Sequence, residues 1–166
     1  MKSICEAFYF GMKIEVLKTV DVKTLKVKAR MNEGHLQYNA SQILDRMTPR
    51  VPSYAYCMIC ILNEDIYNKE SWNYVFGLAS TKNRIGVFSF ARYMPSFWGE
   101  QESDEEEAKT SELMVYRSSK TMCHEIGHMF GILHCTYYNC LMNGSMNSSE
   151  GKIKPFYFCV ICLKKL

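Results

Sequence analysis

Three histidines that can share one metal ion lie in the run HEIGHMFGILH, which begins at His124. His124 and His128 are four residues apart, so on a helix both side chains project from one face and can bind the same ion. On a β-strand they would be too far apart to do so. Gly131 can adopt the left-handed backbone that ends a helix, which lets the chain return His134 as a third ligand. The spacing predicts a zinc site with one open coordination position.

Glu125 is the residue that would make such a site catalytic. It lies about 100° round the helix from His124, beside the metal but not required as a ligand. From there it can take a proton from a water molecule that zinc activates by lowering its pKa to roughly 7. The pattern therefore predicts a zinc-dependent metallopeptidase with Glu125 as general base. The alternative is a catalytically silent zinc module that binds a peptide or protein partner, and a base beside an open ligand position argues against it.

Four of the eight cysteines follow the third histidine in two groups. Cys135 and Cys140 come directly after His134, and Cys159 and Cys162 form a C-x-x-C pair. Four thiolates are the closed tetrahedral ligand set of a structural zinc site. Two disulfides or buried free thiols are the alternatives, and disulfides fit poorly with a chain that shows no secretion signal. The spacing favours a second zinc ion, which would also hold the neighbouring histidine in place.

The two cysteine groups also carry a family resemblance. The run HCTYYNCLM followed by CVIC resembles the signature of the archaemetzincins, metallopeptidases of the metzincin clan in which the third zinc histidine leads into the cysteines of a second metal site. Animal members are most similar, notably in SWNYVFGLAS and GVFSFARY. The resemblance covers most of the chain. It implies a peptidase with two zinc ions, one catalytic and one structural.

Met142 lies eight residues after His134. The resemblance implies that Met142 forms the Met-turn, which packs beneath the histidines without binding the metal; without the resemblance, a methionine here is more often core filler. Some metzincins carry a tyrosine two residues later that stabilises the oxyanion. That position is Gly144, so we assign oxyanion stabilisation mainly to the metal. Sixteen residues separate Met142 from Cys159, where the family usually has seventeen.

Composition limits the other functions that need consideration. A length of 166 residues suits one domain, and 48% hydrophobic with 22% charged residues is typical of a globular protein. A net charge of +3 is too small to indicate nucleic-acid binding. No apolar run approaches the ~20 residues that span a bilayer. We expect a monomer that acts on peptides or proteins, with no nucleic-acid or membrane partner. The cysteine spacing and the opening residues predict an intracellular, mainly cytoplasmic location, with the nucleus as a second location.

Hydrophobic periodicity and turn residues predict the elements that position these groups. Helices are expected at 3–10, 40–47 and 112–130, and strands at 13–20, 24–30, 54–62, 72–80 and 84–93. Asn39 is the expected N-cap of the second helix. The strand at 54–62 is almost continuously apolar, so we expect it to lie buried at the centre of the sheet. The acidic run at 102–107 is expected to be a solvated loop.

This order of elements predicts an α/β (α+β) fold. We expect a metzincin-like, mixed and twisted sheet that carries the active-site helix, with a small zinc-stapled C-terminal lobe. The single domain, 1–166, is divided into a sheet lobe at 1–131 and a C-terminal lobe at 132–166. The resemblance implies that the zinc lies at the floor of a cleft between the lobes. In that plan a strand and a full helix precede the segment at 13–20, so we expect a shortened chain.

Two further segments have an expected place in the sheet. The strand at 84–93 is expected to border the cleft, as the corresponding strand does in metzincins, where a free edge would let an extended peptide pair with it. A purely structural strand is the alternative. Cys57 and Cys60 also form a C-x-x-C pair, but on a strand they would point to opposite faces, so we expect two core thiols.

Overall fold

A computed structural model describes residues 1–99, 104–145 and 148–166 of the chain. Its helices are α1 (Lys2–Phe8), α2 (Ala40–Met47), α3 (Asp104–Met129), α4 (Ser148–Ile153) and α5 (Val160–Lys165). Its strands are β1 (Ala29–Asn32), β2 (His35–Asn39), β3 (Met58–Leu62), β4 (Asp65–Tyr67), β5 (Gly77–Ser80) and β6 (Ile85–Ser89). Within these ranges, no helix has both the length and the hydropathy needed to cross a bilayer.

The strands form two mixed three-stranded sheets. In the first, β2 pairs antiparallel with β1 and parallel with β4. In the second, β6 pairs parallel with β3 and antiparallel with β5, so the order is β3-β6-β5. Helix α2 packs on one face of the second sheet, and α3 packs against β5 and β6 on the other. The predicted mixed α/β architecture with a helix laid on the sheet is confirmed.

Several local predictions are confirmed because short-range chemistry decides them. Asn39 caps α2, and its side-chain oxygen accepts a hydrogen bond from the Gln42 amide at 3.0 Å. Strands β5 and β6 lie within the two segments predicted at 72–80 and 84–93, and they form an antiparallel pair. Cys60 packs on the α2 side of the sheet and Cys57 on the α3 side, as the alternation of a strand requires. Burial raises the pKa of both thiols to about 11.

The centre of the second sheet is β6, whereas the sequence favoured the strand at 54–62. All five residues of β6 are buried because helices cover both of its faces, while β3 has a partner strand on one side and is half-buried. The segment at 84–93, which contains β6, therefore has no free edge to offer to a peptide, contrary to the prediction. The edge strand beside α3 is β5, and β6 lies behind it. An apolar run does not by itself reveal how many neighbours a strand has.

Three further predictions were wrong about where elements begin or whether they form. The segment at 13–20 forms no strand, although its alternation favoured one, because no partner strand pairs with it in the described chain. Strands β2 and β4 were missed because both are short and carry polar residues. Helix α3 begins at Asp104, so 104–107 is helical where a loop was expected; acidic residues are favourable at a helix N-terminus. The other part of the acidic run, 102–103, lies outside the described residues.

A buried ion pair links the two sheets. Arg92, which follows β6, donates from Nε to Asp65 Oδ1 at 3.0 Å and from a terminal nitrogen to Oδ2 at 2.8 Å. Gln37 of β2 donates to the same carboxylate at 2.7 Å. Asp65 and Arg92 are almost fully buried, so each charge is satisfied by the other and by these hydrogen bonds. The pair fixes how the first sheet sits against the end of β6.

Candidate active site and metal centres

The C-terminal end of α3 positions the three histidines. The helix ends at Met129, and Gly131 has a φ of 83°, the left-handed conformation expected of it. Its amide donates to the His128 carbonyl at 2.8 Å, and the Ile132 amide donates to the Gly127 carbonyl at 3.1 Å, which closes the end of the helix. The turn returns His134 to the helix, with its ring centroid 4.9 Å from that of His128.

The ring nitrogens of these histidines converge on one point. One ligand atom from each of His124, His128 and His134 lies within 4.8 Å of the other two. The Nε2 atoms of His124 and His128 are 3.0 Å apart. Two nitrogens bound tetrahedrally at 2.0–2.1 Å would be roughly 3.3 Å apart, so a zinc ion fits between them with little movement.

Hydrogen bonds to the backbone fix the tautomers of the first two histidines. His124 Nδ1 lies 2.9 Å from the Leu141 carbonyl oxygen, and His128 Nδ1 lies 2.7 Å from the Ile132 carbonyl oxygen. A carbonyl only accepts, so each Nδ1 carries the proton and each Nε2 presents a lone pair. Burial is the main cause that lowers the pKa of all three histidines, and the charge of Lys154 lowers each further. Neutral imidazole is the form that binds a metal.

Glu125 is buried between α3 and the start of β5. A Cβ added to Gly77, the first residue of β5, would lie 2.6 Å from Glu125 Oε1, so only glycine leaves room for the carboxylate. Burial raises the pKa of Glu125 to about 8, and the positive charge of Lys154 opposes that rise. The Glu125 side chain is therefore buried against the edge strand β5, on the helix that also carries His124 and His128.

Met142 and its neighbours pack directly against the histidine site. Met142 is fully buried, and a Cβ added to Gly127 would lie 2.6 Å from its sulfur. Gly127 lies on α3 immediately before His128, so the sulfur packs against the backbone of the helix that carries the ligands. A Cβ added to Gly144 would lie 3.2 Å from His134 Nδ1, so this glycine packs closely against the third histidine. These contacts place the segment 142–144, which follows Cys140, directly against the histidine site.

The four cysteines of the C-terminal segment form a second cluster. Their sulfurs all lie within 4.8 Å of one another, and all four are buried. The sulfurs of Cys135 and Cys159 are 3.7 Å apart. That separation is far above the ~2.05 Å of a disulfide and close to the roughly 3.8 Å between two thiolates on a tetrahedral zinc ion. The amides of Cys159 and Met142 donate to Cys140 Sγ at 3.2 and 3.4 Å, contacts that stabilise a thiolate.

Comparisons with known proteins identify the family of the chain. The sequence model of peptidase family M54 matches residues 12–166. This chain belongs to peptidase family M54, the archaemetzincins. Archaemetzincin-2 of Rattus norvegicus is 35% identical over 186 aligned positions, which cover 100% of this chain and 52% of the rat protein. Human archaemetzincin-2 is 36% identical, with 98% of this chain and 51% of the human protein covered. The chain thus spans about half the length of the curated archaemetzincins that it matches.

Solved archaemetzincin structures have the same fold. The crystal structure from Methanopyrus kandleri aligns with a TM-score of 0.61 and 31% identity, over 77% of this chain and 63% of that one. The structure from Archaeoglobus fulgidus, solved with malonate, aligns with a TM-score of 0.59 and 32% identity, over 78% and 70% of the two chains. The likeness supports the predicted fold class.

Two residues of this archaemetzincin site were not found from sequence. Gly77 starts an ordinary strand, and nothing in its neighbourhood reveals that a glutamate 48 positions later needs its space. Lys154 is one of several lysines near the C-terminus, yet its charge acts on Glu125 and on all three histidines. Gly77 is linked to the site by its contact with Glu125 and Lys154 by its charge, and neither link between distant parts of the chain can be read from a short motif.

Proposed function

We propose that this chain is a zinc-dependent peptidase in which His124, His128 and His134 bind the catalytic zinc and Glu125 is the general base. The observation that carries the proposal is the convergence of three imidazole rings, two of them with fixed tautomers, on the helix turn that also carries the buried side chain of Glu125. A structural site would have no use for that carboxylate. Membership of a peptidase family supports the same chemistry.

Zinc would supply a Lewis acid that polarises the substrate carbonyl and lowers the pKa of water. The residues of the chain do the remaining work. Glu125 takes one proton from the attacking water, whose oxygen bonds to the carbonyl carbon. The same carboxyl group then gives the proton to the amide nitrogen as the carbon–nitrogen bond breaks, which releases an amine and a carboxylic acid. The acid then loses its proton and the amine gains one, so the final products are a carboxylate and an ammonium group. Gly77 and the strand β5 keep Glu125 in place during both transfers.

The second cluster is proposed as a structural zinc site, which gives two zinc ions per chain. Cys135, Cys140, Cys159 and Cys162 supply four thiolates, and their spacing fits a tetrahedral ion. Because Cys135 adjoins His134, this ion would also restrain the third ligand of the catalytic site. Met142 would take the Met-turn role, in agreement with its contact beneath α3.

Extended peptides are the proposed substrates, and β5 is the proposed strand that positions them. In the described chain β5 pairs on one side only, with β6, and its first residue contacts Glu125. A peptide that paired with the free edge of β5 would therefore pass close to the base. We also propose a monomeric protein in an intracellular, mainly cytoplasmic location.

Cleavage of a diverse peptide library by the zinc-loaded chain, followed by mass spectrometry, tests this function. We expect Glu125→Ala to keep its zinc and to lose activity by at least ~10³-fold, because the general base is gone. Glu112→Ala is the matched control, since Glu112 is an exposed glutamate on the same helix. Equal activity of Glu125→Ala and Glu112→Ala would refute the mechanism. A folded, zinc-loaded wild type that cleaves nothing would favour the silent zinc module.

A further inference from the structure

A cavity of about 260 Å³ lies between the end of α2 and the short 3₁₀ helix Val22–Leu25. Arg46 lies in the last turn of α2, and Arg50 ends the 3₁₀ helix that follows it. The cavity is lined by Thr24, Leu25, Lys26, Arg46 and Arg50. Because α2 and α3 cover opposite faces of the second sheet, that sheet separates the cavity from the histidines of α3.

Three cationic side chains line this cavity. Within residues 1–99, 104–145 and 148–166, Lys26, Arg46 and Arg50 form no ion pair and no side-chain hydrogen bond. No acidic residue of the described chain is part of the lining. The hydroxyl of Thr24 donates to the Asp21 carbonyl oxygen at 2.7 Å, so the three cations supply the side-chain donors of the cavity.

The helix dipole explains only one of these charges. Arg46 lies in the last turn of α2, where a positive charge is favourable. Arg50 lies beyond the end of α2, and Lys26 belongs to a different segment, so neither gains in the same way. Three like charges around one cavity repel one another. An anion bound among them would remove that cost.

The two walls of the cavity are held together by a common core. Val22 and Leu25 of the 3₁₀ helix are buried in the same hydrophobic cluster as the apolar face of α2. The Lys28 amide also donates to Gln42 Oε1 at 2.7 Å, which ties the chain after Lys26 to α2. The backbone segments that carry the cations are therefore in place before a ligand binds, which lowers the entropy lost on binding.

A phosphate group matches this set of side chains. It carries a charge of about −1.5 to −2 at pH 7 and presents three acceptor oxygens. A guanidinium group can bind two such oxygens at once, and an ammonium group adds a compact charge. A carboxylate has one charge and two oxygens, so it would satisfy fewer of the cations. The volume lies just below the ~300 Å³ at which ordinary small-molecule sites begin, so a phosphate with at most a small attached group fits.

We propose that this cavity is a phosphate-binding site, in which Lys26, Arg46 and Arg50 surround the phosphate group of a small molecule. The ligand is inorganic phosphate or a small phosphate monoester, which share the same recognition chemistry. The bound phosphate would join the 3₁₀ helix to the end of α2 and stabilise the folded chain. The site is independent of the peptidase function proposed above, because it lies on the other side of the sheet.

Titration of the zinc-loaded chain with inorganic phosphate, and separately with methyl phosphate, tests this site by two-dimensional amide NMR. We expect signals around Lys26, Arg46 and Arg50 to shift, with a dissociation constant on the order of 1 mM at low salt that weakens as salt rises. Acetate should bind at least ~10-fold more weakly, because it carries one charge. An oxyanion bound at the histidine site would instead shift the signals of residues 124–134.

Variants that remove one cation assign the binding to the cavity. We expect Arg50→Gln and Arg46→Gln each to weaken phosphate binding by at least ~10-fold, since each removes one of three charged donors. Lys23→Gln is the matched control, because Lys23 is exposed on the same 3₁₀ helix, carries the same charge and does not line the cavity. It should change the affinity by less than ~2-fold. Without phosphate, all three variants should keep the melting temperature of the wild type, because these side chains are exposed.

Four results would overturn the phosphate site. These are shifts confined to residues 124–134, equal phosphate affinity of all three variants, acetate binding as tight as that of phosphate, and no shift in the wild type up to ~20 mM phosphate. The two probes distinguish the sources of the ligand. Tighter binding of methyl phosphate supports a monoester, whereas equal or tighter binding of inorganic phosphate supports the free ion.

Discussion

At the scale of single residues, the site depends on two glycines whose lack of a side chain leaves room for other residues. Gly77 and Gly127 each lie where a Cβ would come within 2.6 Å of a side-chain atom, Glu125 Oε1 in the first case and the Met142 sulfur in the second. Such approaches are not seen for real Cβ atoms, so glycine is needed for space and not for backbone freedom. Glu125 and Met142 are therefore both positioned by close contact with a glycine backbone.

Gly77→Ala should therefore displace Glu125 without disturbing the metal ligands. We expect kcat to fall by about 100-fold, since a shift of about 1 Å in a catalytic group can cost that much, while zinc content stays unchanged. Gly86→Ala is the control on the neighbouring strand, where the new Cβ would meet the Met129 side chain at an ordinary 3.6 Å. Peptide cleavage and zinc content are measured for both variants. Equal activity of the two would show that Glu125 has more room than the contact implies.

At the scale of elements, α3 is the common support of the site. It carries two of the histidines and Glu125, it receives the Met142 sulfur at Gly127, and its Lys120 holds the turn that carries Lys154. Tyr9, just after α1, donates a hydrogen bond from its hydroxyl group to the Cys123 carbonyl oxygen of α3 at 2.6 Å. This bond ties the N-terminal segment to the helix. Several distant segments of the chain therefore meet on this helix.

Helix α5 depends on the cysteine cluster more than on ordinary packing. Cys162 is the one buried residue of this six-residue helix, while Val160, Ile161 and Leu163 are exposed. Cys159 precedes the helix, and its amide donates to Cys140 Sγ. So short a helix is not stable alone, and the proposed zinc ion would supply most of its attachment.

Cys159→Ser should therefore remove one of the two proposed zinc ions. We expect zinc content to fall from two ions per chain to one, and the melting temperature to fall by on the order of 10 °C, because a metal that binds only the folded state stabilises it. Cys57→Ser is the control, since Cys57 is a half-buried cysteine outside both clusters. Zinc content and melting temperature are measured for both variants. Two zinc ions in Cys159→Ser would contradict a four-cysteine site.

At the scale of the whole molecule, the sequence predicted the features that depend on residues close together in the chain. The spacing of His124 and His128, the turn at Gly131 and the cysteine pairs all appear where the motifs indicate. The mixed sheet followed from alternating segments, but the central position of β6 did not, since burial on both faces depends on which helices cover it. Gly77 and Lys154 were missed for the same reason, because their places near Glu125 and Asn143 depend on how distant parts of the chain pack together.

The junction of the two sheets is a second feature that only the folded chain reveals. Asp65 of β4, a strand that the sequence did not predict, binds Arg92 through two hydrogen bonds and receives a third from Gln37. Removing one partner of a buried pair leaves the other charge unsatisfied, which costs about 3–5 kcal/mol. The pair also holds the segment after β6, which leads toward the start of α3.

Asp65→Asn should accordingly lower the stability of the whole molecule. We expect a loss of about 3 kcal/mol in the free energy of unfolding, or roughly 10 °C in melting temperature for a chain of this size, because the Arg92 charge stays buried without its counter-ion. Glu70→Gln is the matched control: Glu70 pairs with Lys28 at 2.7 Å, but both side chains are more than half exposed, so that loss should stay below about 1 kcal/mol. Thermal and urea unfolding of both variants separate the cases. Equal stabilities would mean that apolar packing alone holds the two sheets together, and that the buried pair determines only their relative position.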